Sequence, residues 1–443
     1  PEAGDWGRVY VGNGGDSAKI TMTDCVLANF YGVEVRPRGT VNLVNTNVLN
    51  TEVDAFYLQQ QSVLSMNGGS LETNSSNAKS NYSAVNGSSS SLTTLDGVSI
   101  QGYQMGVEFN TDMQVNLAAT TITNCHYPLY FRSTATLNVG GQLLLTGNTY
   151  DYAKVDFYYM YNNWNLPSLP IPYYFGGFNV QAGNTLTVAS GAILKFTNGG
   201  RLQVDGSLNA VANPGEWIYF TSSKDDNLGG DSNNDQTSTA PAAEDWEGIY
   251  FTDQSVDVTN LLRRCAIRFA GGGDKGGIKL YNASPTIDSC DIANNYIGIW
   301  AEGLSNPVIT NTEIGSSVLV PLAISFEANP IMAGNELSLS DNRYDAIGII
   351  PGTMQGDAHL VIRSLTDLPN MTYYLMGDVT VPAGKTLTID PGITIKAYYE
   401  DWYNRHILVE GTLIADAKAD SMITFTSVRD DNHGYPNDCN NDG

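Results

Sequence analysis

Positive charge is scarce in this chain. Lys plus Arg number 22 against 46 Asp plus Glu, for a formal net charge of −24 over 443 residues. A phosphate backbone is met by basic surfaces, so the balance argues against nucleic acid as a partner. Charge of either sign is also sparse, at 15% where about a quarter is usual. No apolar run reaches the ~18 residues of a membrane-spanning helix, so no membrane span is expected. No stretch of three turns carries the 3.6-residue period of an amphipathic helix. Five Cys and four His show no paired Cys-x-x-Cys spacing, which removes the usual zinc patterns. No signal peptide is visible. Pro1 opens inside a recognisable pattern, so the chain reads as a processed product or a fragment.

What the sequence has instead is repetition, along with 45 Gly and 25 Tyr. Pro1-Glu-Ala-Gly-Asp-Trp-Gly-Arg-Val-Tyr-Val11 returns as Pro241-Ala-Ala-Glu-Asp-Trp-Glu-Gly-Ile-Tyr-Phe251. Ala182-Gly-Asn-Thr-Leu-Thr-Val188 is answered by Ala383-Gly-Lys-Thr-Leu-Thr-Ile389, and Gly206-Ser-Leu by Gly411-Thr-Leu. Ile218-Tyr-Phe-Thr-Ser222 is answered by Ile423-Thr-Phe-Thr-Ser427. These blocks keep one order, so the chain divides into two long copies, 1–240 and 241–443.

A shorter phrase runs inside both copies. Ile20-Thr-Met-Thr-Asp-Cys25, Thr121-Ile-Thr-Asn-Cys125, Leu262-Arg-Arg-Cys265 and Thr286-Ile-Asp-Ser-Cys290 are variants of it. Cys265 to Cys290 spans 25 residues and Ile287 to Ile309 spans 22. Short alternating runs such as Ile297-Gly-Ile-Trp300 separate these phrases, with Gly, Asn, Asp and Ser between them at turns. Strands of three to five residues on a 22–25-residue period describe a coil of three strands. Stacked coils make an all-β, right-handed parallel β-helix, a solenoid of about 14 coils. An antiparallel β-sandwich is the structural alternative. The four phrase cysteines read as small inward hydrophobes in a ladder, and Cys265 and Cys290 on successive coils are close enough in principle for a disulfide. Cys439 stands apart, in a polar loop.

Taken in series, Ala383-Gly-Lys-Thr-Leu-Thr-Ile-Asp-Pro-Gly392, Gly411-Thr-Leu-Ile-Ala415, Ile423-Thr-Phe-Thr-Ser427, an Asp/Asn loop and Asp245-Trp246 resemble secreted bacterial right-handed β-helix repeat proteins of the pectin-lyase-like superfamily. The resemblance covers nearly the whole chain. It implies an extracellular or cell-surface location, and it does not imply catalysis. Polygalacturonases of that superfamily carry Gly-His-Gly and Arg-x-Lys beside clustered Asp residues, and neither motif occurs here. The non-catalytic branch is therefore expected.

The sharpest chemical signal is a pair of acidic loops. One reads Asp225-Asp-Asn-Leu-Gly-Gly-Asp-Ser-Asn-Asn-Asp235, the other Asp430-Asp-Asn-His-Gly-Tyr-Pro-Asn-Asp-Cys-Asn-Asn-Asp-Gly443. Each contains Asp-x-Asn-x-Asp: Asp231, Asn233 and Asp235, then Asp438, Asn440 and Asp442. Alternate oxygens in a tight loop converge on a hard cation, and calcium takes about six to eight of them. The loops resemble the first half of an EF-hand loop, but the first departs from it, with Gln236 in place of the sixth-position Gly and Ala242 in place of the final Glu. Asp225, Asp226, Asp430 and Asp431 are the further candidate ligands, with Asp245 and backbone carbonyls also available. The competing reading is a solvated turn whose Asx side chains cap their own backbone.

The four His lie in unrelated contexts and read as surface residues. The aromatic run from Tyr150 to Phe175 reads either as a local mini-core or as a face for stacking sugars. The function expected is an extracellular structural module, a stalk, surface array or head-to-tail filament with calcium-binding loops. Its partner is then itself, or neighbouring repeats of a longer chain. A carbohydrate-binding or adhesive module is the alternative, and a polysaccharide lyase or hydrolase stands behind it.

Overall fold

The computed structural model describes the chain apart from residues 14–16, 274–275, 334–337, 365–368, 401–402 and 443. It is an all-β parallel solenoid of about 17 turns. Helix among the described residues is confined to Ser76–Asn81 and a 3-10 turn at Asp257–Thr259. The turn count exceeds the expected 14, which is too few for a chain of 443 residues divided into coils of 22–25. Val85, Val107 and Leu129 stack in register at intervals of 22 residues, and Ala153 and Tyr173 at 20. Several coils exceed the expected range: Phe56 to Val85 is 29 residues, with the helix Ser76–Asn81 in the excess, Ile395 to Phe425 is 30, and Leu202 to Ile249 is 47 because the first acidic loop lies between them.

Two compact units are present. The first comprises Pro1–Phe178, Leu186–Lys195 and Ser223–Ala240, and the second Asn179–Thr185, Phe196–Ser222 and Pro241–Gly443. In the first unit, Val9–Val11, Val33–Val35, Phe56–Leu58, Ser83–Gly87, Met105–Phe109 and Tyr127–Phe131 pair in parallel, each with the next. In the second unit, Arg201–Val204, Gly248–Phe251, Gly276–Tyr281 and Ile297–Glu302 do the same.

The repeated Cys phrase is a strand, a corner of one to three residues and a second strand. The residue before Cys25, Cys125, Cys265 and Cys290 has positive φ: Asp24 +52°, Asn124 +53°, Arg264 +53° and Ser289 +55°. Asn and Asp tolerate that conformation best, because a short polar side chain bonds locally. The corner turns the following Cys inward. Cys125, Cys265 and Cys290 are buried, whereas Cys25, on the first coil, is only half-buried. All five cysteines are free thiols. The Cys265 and Cys290 thiols donate to main-chain carbonyls, of Ala210 (3.3 Å) and Leu262 (3.5 Å). Burial pushes the Cys265 thiol well above its ordinary range.

The second repeated phrase has an equally local cause. In Ala-Gly-x-Thr-Leu-Thr the glycine makes a left-handed turn, with φ +81° at Gly183 and +79° at Gly384. The next coil lays Gly206 on the first of these turns and Gly411 on the second. A Cβ at Gly206 would stand 2.3 Å from Asn184 O, and one at Gly411 would stand 2.3 Å from Pro382 O. Only glycine allows that approach. Ser207 N then donates to Asn184 O and Thr412 N to Lys385 O, both at 2.9 Å.

The inner faces carry Ile, Val, Leu and Phe in stacked columns, with Leu262, Ile287 and Ile309 in register and buried. Each such side chain contributes about 1.5–3 kcal/mol on burial. The aromatic run is largely core. Trp164, Tyr173, Phe175 and Phe178 are buried, and Phe178 packs on Phe175 at 5.3 Å and on Phe157 at 5.4 Å. Tyr158, Tyr159 and Tyr161 remain exposed.

Candidate metal centres

Both acidic loops leave the solenoid after the third strand of a coil, Ile218–Ser222 in one copy and Thr424–Ser427 in the other. The two are built alike. Asp231 Oδ1 accepts Asp235 N at 3.1 Å, and Asp438 Oδ1 accepts Asp442 N at 3.2 Å. Asn233 Nδ2 donates to Asp235 Oδ2 at 2.8 Å, and Asn440 Nδ2 donates to Asp442 Oδ2 at 2.7 Å. Asn234 and Asn441 sit at matching left-handed positions, φ +58° and +56°. The Asp-x-Asn-x-Asp spacing thus closes a tight turn in which the first Asp caps the third. That is the Asx capping of the competing reading, and the same bonds draw the carboxylates together.

Asp226, Asp231 and Asp235 bring one carboxylate oxygen each within 4.8 Å of one another, and so do Asp431, Asp438 and Asp442. Oxygens around calcium lie at about 2.3–2.6 Å from the ion, so those on opposite sides are about 5 Å apart. Each trio fits one coordination shell. Five oxygens of these loops, Asp226 Oδ1, Asn233 Oδ1, Asp235 Oδ1, Asp431 Oδ1 and Asn440 Oδ1, are buried and have no hydrogen-bond partner. A buried acceptor left unsatisfied costs about 1–3 kcal/mol. The Asx-turn bonds do not account for these five atoms, whereas a cation would. Burial, with repulsion from Asp231, raises the Asp226 carboxyl above its ordinary range.

The remaining sequence candidates stand outside the trios. Asp225 is buried in the same loop. Asp430 caps its own turn, accepting from Thr426 Oγ1 (2.7 Å), Asn432 N (3.0 Å) and His433 Nδ1 (2.8 Å). Those bonds hold its carboxyl well below the usual carboxylate range. Asp245 Oδ2 accepts from Ser222 Oγ (2.7 Å) and Ala242 N (3.0 Å), which fixes the entry into the next coil.

Sequence reasoning missed Lys195 and Lys396. Each is wholly buried on an inner strand, Ile193–Phe196 or Thr394–Ala397. Lys195 Nζ donates to Gly230 O (2.9 Å) and Ser232 Oγ (2.8 Å). Lys396 Nζ donates to Asp430 O (2.7 Å) and to Asn437 O. A cation from the interior therefore clamps each acidic loop by its backbone. Burial lowers Lys195 to about 8, against the opposing pull of Asp225, Asp226 and Asp231. The signal was a lysine recurring in an otherwise apolar inner strand of both copies.

Cys439 corrects a sequence reading. It lies in the second loop but is fully buried, packed in a cluster with Tyr344, Ala346, Tyr374 and Val428. Its carbonyl accepts from Asp345 N at 2.8 Å. Ser232, one residue after Asp231 as Cys439 is after Asp438, is the buried plug of the first loop. His359 and His406 pair with Asp390 (2.6 Å) and Asp378 (3.0 Å) on the surface, away from either trio.

Residues 247–355 match a family described as the right handed beta helix region. Among curated proteins, and among solved structures, nothing matches the chain. The family match and the stacked parallel strands together support a place among the β-helix repeat proteins.

Proposed function

We propose that this chain is a non-catalytic structural module of an extracellular or cell-surface protein, stiffened by calcium held in loops 225–236 and 430–442. Asp226, Asp231, Asn233 and Asp235 supply side-chain oxygens in the first loop, and Asp431, Asp438, Asn440 and Asp442 in the second. The carrying observation is the duplicated Asx turn with buried, partnerless oxygens in both copies. Calcium suits an oxygen-rich loop of irregular geometry, whereas magnesium demands a near-ideal octahedron and keeps its waters. An ion bound to the folded state raises stability by mass action. Excess chelator should lower the melting temperature, and calcium should restore it better than magnesium. A melting curve indifferent to both leaves the loops as solvated Asx turns.

A second reading, a carbohydrate-binding face, is favoured by the exposed trio Tyr158, Tyr159 and Tyr161. Aromatic faces of this kind stack on sugar rings. A glycan array tests it: binding lost in the Tyr159→Ala, Tyr161→Ala chain supports it. A reducing-sugar assay on acidic polysaccharides tests the third possibility, a polysaccharide-degrading enzyme.

A further inference from the structure

The second unit carries a groove of about 550 Å³. It runs along the axis over four successive coils, whose registers place Tyr281 beside Glu302, Ala301 beside Ile324 and Ile324 beside Ile349. Three steps of about 4.8 Å make about 14 Å. Glycines keep it open. Gly303 turns its corner at φ +66°, and a Cβ there would stand 2.2 Å from Asn282 Oδ1. That oxygen accepts Leu304 N at 2.9 Å and so fixes the corner. On the last coil Gly352 and Gly356 line the groove with bare backbone, and a Cβ at either would meet nothing within 4 Å.

The lining is apolar below and acidic above. Phe326, Ile350 and Met354 are buried beneath it, while Tyr281 and Leu304 stand at the rim, 40% and 67% exposed. Its charged residues are Glu302 and Glu327, both half-buried, and no Lys, Arg or His lines it. Glu302 Oε2 accepts from the Trp300 indole at 3.2 Å. Glu327 Oε1 accepts Gln355 N at 2.6 Å and Gly356 N at 3.4 Å, which ties the last coil to the one before it. Among the described residues neither carboxylate is in an ion pair, and Glu302 Oε1 and Glu327 Oε2 receive no donor.

We propose that this groove binds a small organic cation, an ammonium group on an aromatic or aliphatic stem. Glu302 and Glu327 meet the charge, and Phe326, Ile350, Met354 and Leu304 cover the stem. Tyr281, beside Glu302, adds an aromatic side chain of the kind that attracts cations. Opposite charges attract more strongly against an apolar wall than in open water. An anion is repelled there, and a neutral apolar ligand would desolvate two carboxylates without pairing them. Small-molecule pockets span about 300–1,000 Å³, so the volume suits an occupant of that size. The acidic loops do not line the groove, so this site is independent of the calcium reading.

The test is titration calorimetry on the full chain at about 0.15 M ionic strength, where distant charges are screened. Three probes differ at one end only: phenylbutylammonium, phenylbutanol and phenylbutyrate. The ammonium should bind with a dissociation constant of about 1 mM or tighter, the alcohol at least tenfold more weakly, and the carboxylate not at all. Glu302→Gln with Glu327→Gln keeps acceptor oxygens for the indole and the loop amides, and should weaken the ammonium at least tenfold. Gly356→Phe, which fills open space, should abolish its binding. Glu313→Gln, exposed and outside the groove, should leave it unchanged. Matching urea unfolding curves establish that the variants are folded. Ammonium binding no tighter than that of the alcohol, or unchanged by the double substitution, overturns the proposal. Melting in chelator reports the calcium reading and calorimetry reports the groove, so each can fail alone.

Discussion

Lys195 lies at the junction of core and loop, and its removal is the most direct test of that coupling. It is buried, with two hydrogen bonds from its ammonium to the first acidic loop. Lys195→Met keeps the volume and removes the bonds. Charged hydrogen bonds of this kind contribute about 1.5–3 kcal/mol each, so loss of the two should cost the variant about 3–6 kcal/mol in urea unfolding. Lys396→Met should lose a similar amount. Asp54 gives a pH dependence. Burial, with repulsion from Glu108, raises its carboxyl to about 7, although Ser83 N–H and Arg8 pull the other way. The ordinary value is 3.8, so the folded state holds a proton that the unfolded chain has released. The resulting stability is complete below the unfolded value and is lost as pH rises through about 7. Roughly three pH units at 1.36 kcal/mol each is about 4 kcal/mol. Urea unfolding from about pH 4 to about pH 8 should show Asp54→Asn gaining on the parent by up to that amount. A constant difference would contradict the assignment.

At the scale of the element, one sequence position experiences two environments. Phe220 is covered by the following coil and Phe425 is not. Phe220→Ala should cost about 3–5 kcal/mol, and Phe425→Ala well under half of that, in dilute urea unfolding. Equal costs would mean that the exposed coil is covered in solution by something else. The coil itself was legible in the sequence, because Gly206, Gly411 and the corner residues Asp24 and Asn124 act through local backbone geometry. The acidic trios were legible for the same reason: Asp231 to Asp235 is one turn. Lys195 was not, because its partners Gly230 and Ser232 are 35 and 37 residues away, and a lone lysine in an apolar strand reads as outward-facing. Nor was the burial of Cys439, since only the folded loop lays it against Tyr344 and Tyr374. Asp430, read from the sequence as a further candidate, caps its own turn, while its neighbour Asp431 joins the trio.

For the whole molecule, the account requires two cation sites per chain, each tied to one loop, in a protein that gains stability when they fill. Melting alone reports the sum of the two. Counting bound metal separates them: equilibrium dialysis against calcium, followed by elemental analysis of the protein. The account predicts two calcium ions per parent chain and one in Asp231→Ala, Asp235→Ala. It also predicts one in Asp438→Ala, Asp442→Ala and none when all four are changed, with magnesium failing to compete at equal concentration. A parent chain that retains no calcium, or one whose bound calcium survives all four substitutions, would contradict it.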